Sequence, residues 1–155
     1  MRAGLLGVLW LVSSLAFALE PGERVMAWTL LDQFEQPYTL NDDARIVLVA
    51  KNMDGAKLLD AALQGKPRGY LEQRKAVFLA DISRMPKPIA SLFALPKMRD
   101  YHYRVLLDRE ARVTSRYPVE EGAVLWLALR DGHLAEQRSY RDAAALAQAL
   151  EEAGR

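Results

Sequence analysis

The 155-residue chain contains no cysteine. That absence excludes disulfide scaffolds, thiolate zinc sites, iron–sulfur clusters and cysteine nucleophiles. Histidine is scarce as well. The two present, His102 and His133, stand in no Ser/His/Asp spacing, and no G-x-S-x-G elbow accompanies them. No surplus of charge exists either, since 21 Lys and Arg face 20 Asp and Glu. Phosphate binding draws on clustered basic residues, so nucleic acid is not an expected partner. Gly65-x-x-x-Gly69 contains Pro67 and lacks the lysine and hydroxyl of a phosphate loop. No dinucleotide fingerprint occurs, and no cofactor is expected.

What is present starts with a targeting pattern. Arg2 precedes an apolar run from Leu5 to Phe17, which is shorter than the roughly 20 residues that cross a bilayer as a helix. Ala16 and Ala18 then form an A-x-A site before the polar run Glu20 to Glu23. Residues 1–18 therefore read as a signal peptide cleaved after Ala18, which sends residues 19–155 to the periplasm or the exterior with no stable membrane span. An uncleaved anchor is the alternative. Loss of Arg2 leaves 20 basic residues against 20 acidic ones, a neutral mature chain.

Residues 19–155 read as one α/β domain. Trp28–Asp32 and Tyr38–Leu40 flank a polar turn and predict a hairpin. Ile46–Ala50 and Ala76–Ala80 are short apolar runs of the kind buried on both faces of a sheet. Between them, Asp54 and Gly55 open a helix with Leu58, Leu59, Ala62 and Leu63 on its apolar face, ended by Gly65 and Pro67. Strand, helix and strand in this order imply a parallel crossover. Pro88–Met98 places Ile89, Leu92, Phe93 and Leu95 at helical spacing, with Pro96 expected to end or kink the helix. Arg104–Leu107 predicts a short strand, and Glu110–Tyr117 a helical turn. Ala123–Leu129 predicts a central strand. Asp131-Gly132 signals a two-residue hairpin turn into Leu134–Arg138. Asp142 caps a last helix with Leu146, Ala147, Leu150 and Ala153 on one face.

This element order, with its leading hairpin, resembles the thioredoxin-like superfamily, in its secreted peroxiredoxin-like and thiol-reductase-like branch. Three segments carry the resemblance: Trp28 to Leu40, Arg104 to Asp108 continuing to Tyr117-Pro-Val119, and Leu127 to Gly132. It implies a three-layer α/β/α sandwich with a mixed central sheet and an N-terminal β-hairpin. It also implies a Cys-x-x-Cys at the start of the helix after the first central strand, where helix dipole and free amides lower a thiol pKa. Lys51 to Lys57 occupies that place without a thiol. Gly122 or Ala123 stands where the resemblance puts a cis-proline. Thiol–disulfide exchange and cysteine peroxidase chemistry are thereby excluded.

The candidate binding site is therefore Asn52, Met53, Asp54, Gly55 and Lys57 facing Gly122 and Ala123, with helix amides available to a partner's carbonyl or an anion. The blander reading gives Asn52 or Asp54 a capping role. The expected function is a non-redox binding or accessory role toward an envelope protein or peptide. One alternative joins Met53, Met85, Met98 and His102 in a soft copper site, because related thioredoxin-like proteins include copper chaperones. Another is an enzyme of non-thiol chemistry, for which no nucleophile–base pair is visible. Lys97 to Arg104 mixes basic and aromatic residues and reads as a solvated connection.

Overall fold

The computed structural model describes residues 19–155. The expected signal peptide, residues 1–18, and its expected cleavage after Ala18 lie outside the described residues. The predicted hairpin forms from β1 (Thr29–Asp32) and β2 (Pro37–Thr39), antiparallel with Thr29 opposite Thr39. Its turn closes because Asp32 Oδ1 accepts the amides of Phe34 at 2.8 Å and Gln36 at 2.9 Å. The apolar run at Ile46 becomes β3 (Ile46–Ala50), with every residue buried. Chain then passes through α1 (Met53–Ala62) and the short α2 (Tyr70–Gln73) to β4 (Ala76–Asp81), which runs parallel to β3. After a helical stretch described below come β5 (Leu106–Asp108), a 3-10 turn at Thr114–Arg116, β6 (Val124–Arg130) and β7 (His133–Tyr140). Asp131 and Gly132 join the last two strands with φ of 51° and 78°, the left-handed pair that a two-residue turn of the Asp-Gly type needs.

The seven strands form one mixed sheet in the order β2-β1-β5-β4-β3-β6-β7. β4 is thus the middle strand. β6, expected at the centre, stands one place from the edge, because a run buried on both faces fits any covered strand equally well.

Alternation of side chains divides the core in two. Leu48, Phe78 and Trp126 share one cluster with Leu59 of α1 and with Leu146 and Leu150 of the final helix. That helix, capped by Asp142 Oδ2 on the Ala145 amide at 3.0 Å, runs Ala143–Ala153. Its last expected core residue, Ala153, is exposed in the final turn. Val47, Leu79 and Leu127 face the opposite side, under Val25, Trp28, Leu40 and Tyr117. This second outer layer is made of extended segments and the 3-10 turn, pinned where Trp28 Nε1 donates to the Tyr117 hydroxyl at 2.8 Å.

Two expectations change in the middle of the chain. The strand expected from Arg104 begins only at Leu106. Gln33, 2% exposed, explains the delay. Its Oε1 accepts the Val105 amide at 3.1 Å, and its Nε2 donates to the carbonyls of Tyr103 at 2.9 Å and Met98 at 3.3 Å. A side chain from the hairpin thus takes backbone groups at the approach to β5.

The helix at Pro88 runs from α3 (Lys87–Ile89) through a π-turn (Ala90–Ala94) into α4 (Leu95–Arg99). Pro96 does not end it. Proline cannot donate to the carbonyl four residues back and its ring crowds that carbonyl; the wider π-turn just before Pro96 lets the helix continue.

Replacing Gln33 by leucine keeps the volume and removes the partner of the Val105 amide and of the Tyr103 carbonyl, while the Met98 carbonyl keeps the Tyr101 amide at 3.2 Å. We expect Gln33→Leu to lower unfolding stability by roughly 2–3 kcal/mol, read from the urea midpoint; a loss below about 0.5 kcal/mol would contradict this role for the carboxamide.

Candidate functional site

The chain leaves β3 at Ala50 and reaches α1 through Lys51 and Asn52. Asn52 is extended, with φ of −149°, and its Oδ1 accepts the Gly55 amide at 3.1 Å, which makes it the helix cap. The same oxygen accepts the Gly122 amide at 3.2 Å. Gly55 is needed here for space. A Cβ built on it would lie 2.6 Å from the Ala123 carbonyl oxygen and 3.3 Å from the Ala50 Cβ. Asn52, Gly55, Gly122 and Ala123, far apart in sequence, are therefore brought together as a closed junction, with Gly55 and Ala123 buried and Asn52 and Gly122 half-buried. No cis peptide bond occurs among the described residues. Asp54 does not cap, and Lys57 is exposed on the next turn of the helix.

Met53 and Asp54 lie on the open side of this junction. With Lys51 and Asn52 they line a groove of about 600 Å³ whose other wall comes from residues 81–85 at the end of β4 and from the helical stretch 89–97. The groove is lined mainly by apolar side chains. Met53 is 48% exposed, Ile89 46% and Phe93 66%. Met85 and Ile82 add to its apolar lining.

Ile89, Leu92 and Phe93, which the sequence places at helical spacing, are all exposed, Leu92 by 68%. The helix anchors itself instead through Ala90 and Met98, both buried. Arg84, Asp81 and Lys97 are groove residues that sequence reasoning missed; only the helical spacing of Ile89 and Phe93 hinted at a shared face.

Charge around the groove is mixed. Lys51, Arg84 and Lys97 stand against Asp54 and Asp81. Arg84 also bonds Glu121 at 2.9 Å and, with Lys51 nearby, holds that carboxyl below the usual carboxylate range. Asp81 is engaged locally, its Oδ1 accepting the Ser83 amide at 2.8 Å.

The four residues of the copper alternative do not meet. Met53 and Met85 line the groove. Met98 is 6% exposed in the core, and His102 Nε2 pairs with the Leu63 carbonyl at 3.0 Å, beyond the far end of α1. A helix of that length separates its ends by about 15 Å. Among the described residues no three His, Asp or Glu side chains cluster as metal ligands would. The Lys97–Arg104 segment is structural: Arg99 Nε bonds the Gln33 carbonyl at 3.1 Å and Arg104 Nε bonds Asp32 at 2.9 Å.

No protein-family model matches the chain, and no curated protein matches it in sequence. Solved structures do share its architecture. The thio-disulfide isomerase from Thermus thermophilus is similar over 88% of this chain and 98% of its own, with 26% identity and a TM-score of 0.53. Peroxidoxin BcpB from Mycobacterium tuberculosis is similar over 88% and 99%, with 16% identity and a TM-score of 0.57. The thioredoxin domain of a thiol-disulfide oxidoreductase from Bacteroides vulgatus is similar over 87% and 98%, with 15% identity and a TM-score of 0.55. The fold is thioredoxin-like. This chain carries it without a single cysteine.

Adding one methyl group at Gly55 forces the junction apart. We expect Gly55→Ala to cost about 1–3 kcal/mol of stability, measured by thermal or urea unfolding; an unchanged midpoint would show that Ala123 does not press on this residue.

Proposed function

We propose that the chain is an exported, non-redox binding protein of the cell envelope, which holds an apolar segment of a partner protein or peptide in the groove beside Met53 and Phe93. The observation that carries this reading is the exposure of Met53, Ile89 and Phe93 around one concave surface of about 600 Å³. Clustered apolar exposure of this kind has a cost in water that a partner's surface removes. Methionine suits such a surface because its unbranched thioether adapts to different shapes.

The lack of cysteine supports a binding role over a catalytic one. A thioether forms neither thiolate nor disulfide, so the groove offers contact without exchange. The sequence pattern of residues 1–18 supports export. Amides at the start of α1 play a smaller part than the sequence suggested, since Asn52 takes the Gly55 amide and the junction is closed by Gly122.

A photo-activatable amino acid placed at position 93 or 53 tests the reading in cells. It should give one discrete adduct from each position in the envelope fraction and none from position 136 on the exposed face of β7. Ile89→Asp should reduce the yield by roughly tenfold. Equal yields at 93 and 136, or none at 93, would overturn the proposal.

A further inference from the structure

At the opposite end of β4 from the groove, the sheet has a gap. The Ile82 amide donates to the Asp108 carbonyl at 3.0 Å, on the β5 side. Backbone direction alternates along a strand, so the amides of Ala80, Phe78 and Ala76 point to that same side. The Lys75 carbonyl, by contrast, accepts the amides of Arg45 and Ile46 on the β3 side. β5 pairs with β4 only from Leu106 opposite Leu79 onward. Among the described residues no strand lies beside Ala76–Phe78 on the β5 side. Ala76 is 5% exposed and Phe78 2%, and their amides on this side face a space rather than a strand. Buried amides and carbonyls of this kind are nearly always hydrogen-bonded.

The space is a slot of about 260 Å³. Its floor and roof come from the two core layers, with Leu71 from the helical side and Ala44 from the other. Tyr38 and Arg104 form the wall across from β4. That wall is fixed. Arg104 bonds Asp32 at 2.9 Å and the Pro37 carbonyl at 3.2 Å, and its guanidinium lies 5.5 Å from the centre of the Tyr38 ring. Gln33 holds the chain before Leu106 by its backbone, so β5 does not extend to fill the slot.

We propose that this slot binds a short, uncharged, extended peptide segment, which pairs with the edge of β4 at Ala76–Phe78 as an additional strand. Its main chain supplies an acceptor for the Phe78 amide and partners for Ala76, the pattern of strand addition to an open edge. Alternate side chains enter toward Leu71 and toward Ala44. The slot presents no cluster of one sign, with Asp43 and Glu72 beside Lys75 and with Arg104 paired to Asp32, so nothing in its lining calls for a charged segment. The site is separate from the groove beside Met53 and does not rest on the function proposed for it.

The test is a titration of the isotope-labelled full chain with acetyl-Val-Leu-Val-amide, followed by amide chemical shifts, at roughly millimolar peptide as suits a small contact. The account expects the largest shifts at Ala76, Phe78 and Leu106, and exchange of the Phe78 amide slowed about tenfold. The same peptide with its main-chain nitrogens methylated keeps its side chains and should lose these effects. Equal binding of the methylated peptide would mean a plain apolar pocket and overturn strand pairing. Shifts confined to Met53 and Phe93 would overturn the slot while leaving the groove intact. No shift anywhere would show that the slot takes only solvent.

Discussion

One carboxamide oxygen sets the geometry at the ends of the central strands. Asn52 Oδ1 receives both the first helix's Gly55 amide and the Gly122 amide that precedes β6. The contact between Gly55 and the Ala123 carbonyl leaves no room for a side chain, so the helix start and the β6 approach are locked at close range. A position that in thiol proteins of this fold is expected to hold reactive sulfur is occupied here by a polar clasp. What remains accessible is the flank of the clasp, where Met53 begins the helix.

The flank becomes a groove because of how the helical stretch 87–99 is made. Pro88 and Pro96 lie within it on either side of the π-turn at Ala90–Ala94, which changes the residues that meet the core. Ala90 and Met98 dock, while Ile89, Leu92 and Phe93 turn outward. An extra residue in a turn rotates everything before it relative to everything after it. The exposed apolar face is therefore a consequence of local backbone chemistry, and it lies against the strand ends where a binding surface is most easily shaped by loops.

Much of the fold could be read from the sequence because its signals are local. The length and β-branching of Ile46–Ala50 favour a covered strand, Asp131-Gly132 signals a tight hairpin turn, and Asp142 suits the cap of its helix. The start of β5 could not be read, because the group that diverts it, Gln33, acts from 72 residues away on Val105. Nor could the outward face of Phe93. Helical spacing says that apolar residues share a side, and it does not say whether this chain or another covers that side. At the candidate site, residue types and location were legible, but their division into a closed junction and an open groove depends on Gly122 and Ala123 arriving from a distant loop. The copper alternative failed for the same reason, since Met98 and His102 are drawn into the core and to the far end of α1.

Amide hydrogen exchange at Gly122 tests the central claim most directly, since its only role here is to donate to Asn52. The account predicts that this amide and that of Gly55 exchange at least about a hundredfold more slowly than in an unstructured peptide. In Asn52→Ala both should lose that protection while Leu48 in β3 keeps its own. A Gly122 amide that exchanges at the unstructured rate in the wild-type chain would contradict the clasp, and with it the division of this site into a closed junction and an open groove.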